Sequence, residues 1–298
     1  MKVTNLVGGL IVKKFNTYSD TYSVVVFDVD NTLVKGNLTL FFLKYLIRER
    51  FYFFRRCFVT LVKGAFLLLW RLPNKTKKIL KQKGAGPFYG NVYLLDRYLY
   101  KSIKSFYISL SRSLNKLDLL DRQLKDKAKK VFSKNFFKKH LYRTGIEKIE
   151  QHLQDTNTIV VLLSGSPQEL VDVLFESICK ELDKKGVSPC KGASPCEGAN
   201  WQNRFFIKGT VLGPRGEDIR PCIGSEKNKM LKVLLENNGY YSYVISKIYS
   251  DNTFMADLPL FIESKNGGML ICEKNSLYTA LPEGLIKKFV FWPYWRKV

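Results

Sequence analysis

The stretch SVVVFDVDNTL, residues 23–33, decides how the rest of the chain is read. Val24, Val25, Val26 and Phe27 make an unbroken run of β-branched and aromatic residues, the pattern of a strand buried on both faces in a parallel sheet. The run stops at two carboxylates, Asp28 and Asp30, separated by one valine. On an extended strand they share a face, and the Asn31-Thr32 that follows is turn chemistry that lets the chain curl back toward both. Two acids crowded at the end of a buried strand repel each other, and a bound divalent cation is the least costly way to keep both ionised. Mg²⁺ together with a phosphate is the pairing such a site calls for. The plainer alternative is a polar strand end closed by an Asx turn, and the choice rests on what stands farther along the chain.

A second apolar run, residues 159–163, leads into Ser164-Gly165-Ser166-Pro167-Gln168-Glu169. Ser166 and Glu169 have capping-box spacing with proline at the first helical position, so a helix is expected to start there with its free amides facing outward. Strand, tight turn and helix start together make an anion site, to which Ser164 can add a hydroxyl. Gly224-Ser225-Glu226-Lys227-Asn228-Lys229 reads as another helix start, in which an early lysine could reach back toward the sheet edge. Residues 244–250 then read as a strand that ends in Asp251, with Asp257 shortly after.

Residues 27–33, FDVDNTL, resemble the first motif of the haloacid dehalogenase superfamily, and the three later segments resemble its second, third and fourth motifs in order. The resemblance implies an α/β fold: a doubly wound, mainly parallel Rossmann-like sheet with a helical cap inserted after the first strand, as in the phosphoserine-phosphatase-like branch. It places a discontinuous core in residues 1–35 and 143–298 and the cap in residues 36–142. It further implies a phosphomonoester hydrolase that forms an aspartyl-phosphate. Asp28 would be the nucleophile and Asp30 the acid and base, Ser164, Gly165 and Lys227 would bind the phosphate, and Asp28, Asp30, Asp251 and Asp257 would hold Mg²⁺. Lys229 is the alternative to Lys227. The family's fourth-motif acids usually stand four apart, whereas Asp251 and Asp257 are six apart, which leaves Asn252 as the alternative second residue.

Composition bears on the partner. The 298 residues suffice for a core plus a second unit, and a net charge of +23, from 49 Lys and Arg against 26 Asp and Glu, calls for a polyanionic neighbour. Helical periodicity runs through the insertion, where Leu95, Leu99, Ile103, Phe106 and Leu110 step by three or four. Within it, residues 51–70 are strongly apolar but divided by Lys63 and flanked by Arg55, Arg56 and Arg71. That is short for a span and suited to an interfacial helix, the alternative being a buried helix of the cap. Residues 75–83 read as a basic linker that ends in Gly84-Ala85-Gly86-Pro87, and a near-repeated hexapeptide over residues 186–197 reads as a surface loop. Aromatics between cations at residues 287–297 read as an edge strand with a tail, or as an interface anchor.

Six scattered cysteines without a CxxC pair, and only His140 and His152, argue against zinc and for free thiols in a reducing cytoplasm. The expected partners are a lipid-linked phosphomonoester and an anionic membrane surface, on whose inner face the protein would lie peripherally. Nucleic acid is not expected, because no recognisable module for it is present. The competing readings are a soluble phosphatase for phosphoserine or another small metabolite, and a basic binding protein or polynucleotide phosphatase.

Overall fold

A computed structural model describes residues 21–49, 85–116, 122–185, 201–213, 218–251, 257–264, 268–270 and 289–291. The sequences read as interfacial helix (51–70), basic linker (75–83) and repeated hexapeptide (186–197) lie outside them, as do Asn252 and residues 292–297 of the C-terminal stretch.

Strand alternation builds two cores. Along β1 (Tyr22–Asp28), Val24 and Val26 belong to one hydrophobic cluster, while Val25 and Phe27 belong to the other. Strand β2 (Thr158–Pro167) repeats the division, with Ile159, Val161 and Leu163 on the first face and Val160 and Leu162 on the second. All nine side chains are buried, as expected for an inner strand of an α/β sheet. Each contributes about 1.5–3 kcal/mol relative to exposure.

Between β1 and β2 the described residues form α1 (Leu38–Glu49), α2 (Ala85–Lys116), α3 (Arg122–Val131), α4 (Lys134–His140) and α5 (Arg143–Leu153). After β2 come α6 (Gln168–Lys184), a 3₁₀ turn (Trp201–Arg204), β3 (Phe205–Thr210), α7 (Ser225–Asn237), β4 (Tyr243–Ser250), α8 (Leu258–Glu263), β5 (Gly268–Leu270) and β6 (Phe289–Phe291). The six strands run β3-β2-β1-β4-β5-β6, and every neighbouring pair is parallel. The fold is α/β and doubly wound, with α7 and α8 on the face of Val24 and helices α1–α6 on the other.

Inserted helices share their core with the sheet. Leu38, Phe42 and Leu46 of α1, Tyr107, Leu110 and Leu114 of α2, and Leu124 and Ala128 of α3 fall in one cluster with Phe27, Val160 and Leu162. Helix α2 starts at Ala85, so Gly86 and Pro87, read as the end of a linker, lie in its first turn, where a proline forfeits no intrahelical bond. The C-terminal aromatic stretch supplies an edge strand through Phe289–Phe291. Among the described residues no helix is long and apolar enough to cross a membrane.

The buried guanidinium of Arg204 ties the turn before β2 together, donating to the carbonyls of Thr158 (2.9 Å), Leu153 (3.1 Å) and Asp155. Strand order reverses between β1 and β4, and open sheets of this kind bind ligands beside the carboxyl ends of the strands flanking that reversal.

Candidate active site

The chain curls at the end of β1 as Asn31-Thr32 leads one to expect. Asn31 adopts φ 59°, a left-handed value that asparagine tolerates. The amides of Thr32, Leu33 and Val34 all donate to the Val29 carbonyl, at 3.2, 2.9 and 3.1 Å. Thr32 Oγ1 accepts the amide of Asp251 at 2.9 Å, which lashes the curl to the end of β4. Asp28, Asp30 and Asp251 thereby gather at the switch in strand order.

Lys227, in the first turn of α7, is brought to the same point although a lysine there is ordinarily solvated. Its side chain is 1% exposed. The ammonium donates to Asp28 Oδ1 at 2.7 Å and to Asp257 Oδ1. Lys229 instead is exposed and pairs with Glu226. Burial alone would lower the lysine's pKa, but Asp257 and Asp28 reverse the sign and hold it above its ordinary value. Burial likewise pushes the Asp28 carboxyl well above its usual range; Lys227 draws it down, and Asp257, Asp251 and Asp30 press it up again.

Four acids against one ammonium leave this buried site short of positive charge. The donors are hard oxygens, which suits Mg²⁺ and not a softer metal. Asp257 accepts Lys227 on one oxygen and Ser250 Oγ on the other, an arrangement that holds the lysine. The Asp30 carboxylate accepts two hydroxyls on Oδ2 and an amide on Oδ1. Among the described residues no three His, Cys, Asp or Glu side chains form a metal-holding group. Mg²⁺ commonly takes one or two carboxylates and completes its octahedron with water and substrate phosphate, and Asp28 with Asp251 fits that pattern.

Asp30 is the most thoroughly held of the acids. Its Oδ1 accepts the Leu38 amide at 2.8 Å, and its Oδ2 accepts Ser166 Oγ at 2.8 Å and Ser164 Oγ at 3.3 Å. Burial raises its pKa, while the bonds from Leu38 and Ser166 oppose the rise. Ser164, expected on a phosphate, thus faces Asp30 here, and it also accepts the Ser166 amide at 3.0 Å. The Gly165 carbonyl accepts Thr210 Oγ1 at 2.6 Å and the hydroxyl of Tyr107.

Both helices start where expected, but neither is capped by its own side chain, and for one reason. Helix α6 begins at Gln168 with Pro167 as N-cap and no side-chain cap bond, because the Ser166 hydroxyl is spent on Asp30. Helix α7 has no cap of its own either. Asp96, from α2, accepts the Ser225 amide at 3.1 Å and Ser225 Oγ at 2.6 Å. Gly224 takes φ 55°, and a Cβ there would stand 1.7 Å from Asp96 Oδ1. In both cases a distant side chain outcompetes the local one.

Sequence reasoning missed Thr39, Asp96, Tyr107, Ser166 and Ser250 as members of this site. Ser166 and Ser250 lie inside quoted segments and could have been weighed; the other three stand on the insertion, where no local pattern sets them apart. A cleft of about 570 Å³ between α3, α4 and α6, lined by Phe132, Phe137 and Val173, contains none of the candidate residues. Buried Cys222 and half-buried Cys179 are free, with thiols pushed up to about 12 by burial, so neither supplies a thiolate nucleophile.

No family model matches this sequence, and no curated protein does. Among solved structures, the chain is similar to a protein of unknown function from Bordetella pertussis Tohama I, at 12% identity over 91% of this chain and 98% of that one, with a TM-score of 0.48. It is also similar to phosphoserine phosphatase in its apo form, at 14% identity over 87% and 91% of the two chains and a TM-score of 0.38. A phospho-aspartyl intermediate analogue of phosphoserine phosphatase gives 14%, 91%, 92% and 0.38 in the same order. Likenesses of this size carry no activity across, and the functional reading stands on the geometry of the site.

Proposed function

We propose that this chain is a Mg²⁺-dependent phosphomonoester hydrolase of the haloacid dehalogenase superfamily, acting through an aspartyl-phosphate on Asp28. The observation that carries the reading is Lys227, buried between Asp28 and Asp257, with Asp30 held two residues beyond Asp28. An ammonium fixed beside a carboxylate at a strand end is what phosphoryl transfer needs, since its catalysis is mostly positioning and charge stabilisation.

In this mechanism Asp28 attacks phosphorus with the oxygen that Lys227 does not hold, and the bond from phosphorus to the ester oxygen breaks. Asp30 gives its proton to that departing oxygen and afterwards removes one from the water that hydrolyses the aspartyl-phosphate. Lys227 and the backbone amide of Gly165 hold phosphoryl oxygens, while the Ser164 hydroxyl stays on Asp30. Asp257 and Ser250 keep the ammonium aimed. Mg²⁺, held by Asp28, the Asp30 backbone carbonyl and Asp251, supplies charge neutralisation at the phosphoryl oxygens when bound. The domain reading accompanies this one: residues 36–142 act as a cap over the site, on a core of residues 1–35 and 143–298.

The substrate proposed is a membrane lipid phosphate such as phosphatidylglycerophosphate. Ser166-Pro167-Gln168, Gly224-Ser225-Glu226-Lys227 and Tyr249-Ser250-Asp251 look like the corresponding segments of phosphatidylglycerophosphatase C. The +23 charge and the apolar, arginine-flanked residues 51–70 favour an anionic surface, where each nearby Lys or Arg adds about 1 kcal/mol. The test is phosphate release from phosphatidylglycerophosphate in mixed micelles and from phosphoserine in solution, with EDTA and Asp28→Asn as controls. Faster lipid turnover, abolished by both controls, is expected. Faster phosphoserine turnover moves the substrate to soluble metabolites, and activity that survives Asp28→Asn removes the mechanism.

A further inference from the structure

The acid of the reaction is held by two serines of β2 and by the Leu38 amide of α1, and an inserted helix reaches one of those serines in turn. Asp30 Oδ2 accepts the Ser166 hydroxyl at 2.8 Å, and Ser166 Oγ lies 2.9 Å from Thr39 Oγ1 at the start of α1. Ser166 has a single hydroxyl proton. Since it is given to Asp30, the bond to Thr39 must be donated by Thr39, and the order is Thr39 to Ser166 to Asp30. Thr39, Ser164 and Ser166 are all buried, so water does not substitute for any of these hydroxyls. The turn carrying both serines is clamped in turn by Tyr107 of α2, whose hydroxyl donates to the Gly165 carbonyl.

From this we infer that Thr39 and Ser166 are positioning residues for the acid: their hydroxyl ladder fixes the plane of the Asp30 carboxyl and selects the oxygen that carries the transferable proton. Ser164 and Ser166 both donate to Oδ2, which fills its acceptor positions. Oδ1 accepts only the Leu38 amide among the described groups, so its second lone pair is the place for the proton. Because Thr39 and Tyr107 belong to the insertion, the ladder is complete only while α1 and α2 sit against the carboxyl ends of the strands. The insertion therefore does more than cover the site; it orients the proton donor.

This inference rests on the hydrolase reading and on Asp30 as its acid, and it makes a demand that a purely structural role does not. Proton donation matters for a poor leaving group and hardly at all for one that departs as a stable phenolate. The experiment measures kcat/KM of the full chain with Mg²⁺ for glycerol 3-phosphate and for 2,4-dinitrophenyl phosphate, in wild type, Ser166→Ala, Thr39→Val and Thr39→Ser. Both esters are read on the same preparation, so a loss of folded protein cancels in their ratio.

The alkyl-to-dinitrophenyl ratio is expected to fall about ten-fold or more in Ser166→Ala and Thr39→Val, within the range one general acid contributes, and to recover in Thr39→Ser. If Ser166→Ala does not fold, the near-isosteric Thr39→Val and its serine partner give the same reading. An unchanged ratio in variants of an active wild type overturns the ladder and leaves the hydrolase intact. A wild type inactive on both esters and on the lipid removes the hydrolase reading, and the ladder's role with it.

Discussion

Replacing Lys227 by methionine tests the charge balance of the site through stability alone. The side chain is 1% exposed and stands between Asp28 and Asp257, whose side chains are 12% and 1% exposed. Methionine fills nearly the same volume, so the packing loss is small and the change is electrical: two buried carboxylates lose their shared cation. Breaking a buried ion pair from one side costs about 3–5 kcal/mol, because the remaining charge is uncompensated. With an m-value of about 3 kcal/mol/M, the urea midpoint measured in EDTA at neutral pH falls by about 1–1.7 M. Adding Asp257→Asn should return about 1–3 kcal/mol of that loss, since it removes one stranded charge and the two sites are in contact. Activity should not return in the double variant. A midpoint within 0.2 M of wild type for Lys227→Met, or a double variant whose losses simply add, would refute the buried triad and the catalytic placement built on it.

Gly224→Ala places a Cβ on Asp96 Oδ1 at a residue with φ 55°, so backbone strain of about 1–2 kcal/mol adds to loss of the α7 cap, about 1 kcal/mol. Urea titration should show the two losses together, and the same substitution should cost less in an Asp96→Ala background, where the clash is gone. His152, hydrogen-bonded to Tyr249 at 2.9 Å, has its pKa lowered to about 4, chiefly by burial and then by Lys247. Its neutral form is the folded one and the unfolded chain binds the extra proton below about 6.5, so this contribution is complete above that pH and is lost as pH falls toward 4. Discounted for the ring's partial exposure, the loss is about 1–2 kcal/mol, and the stability difference between wild type and His152→Gln should shrink by that amount between pH 7.5 and 4.5. A difference that stays constant would mean the ring is solvated.

Much of this fold was legible because residues 24–27 and 159–163 carry the strand signal locally, as runs of apolar side chains that stop at a polar residue, and residues 244–250 carry it in β-branched and aromatic residues interrupted by Ser246 and Lys247. Strands β5 and β6 were harder: three residues each, they owe their place to a neighbouring strand and not to their own pattern. The charged members of the site were legible for a related reason, since Asp28, Asp30, Lys227 and Asp251 stand at element ends where burial and charge meet. What escaped was the second layer. Ser166 has the spacing of a helix cap and serves Asp30 instead, and Asp96 caps a helix 129 residues away. No one-dimensional pattern encodes those partners, because tertiary packing chooses them. The six-residue gap between Asp251 and Asp257 acquired a meaning only from Lys227, which one acid of the pair holds.

The most direct test of the central claim is to trap the covalent intermediate. Enzyme with Mg²⁺ and substrate is quenched in acid during turnover, reduced with borohydride and digested for mass spectrometry. Borohydride converts an aspartyl-phosphate to homoserine, so the account predicts that residue 28 alone is converted, in the presence of substrate and not in its absence. Phosphate release without any modification at Asp28, or conversion of a different carboxylate, would contradict it.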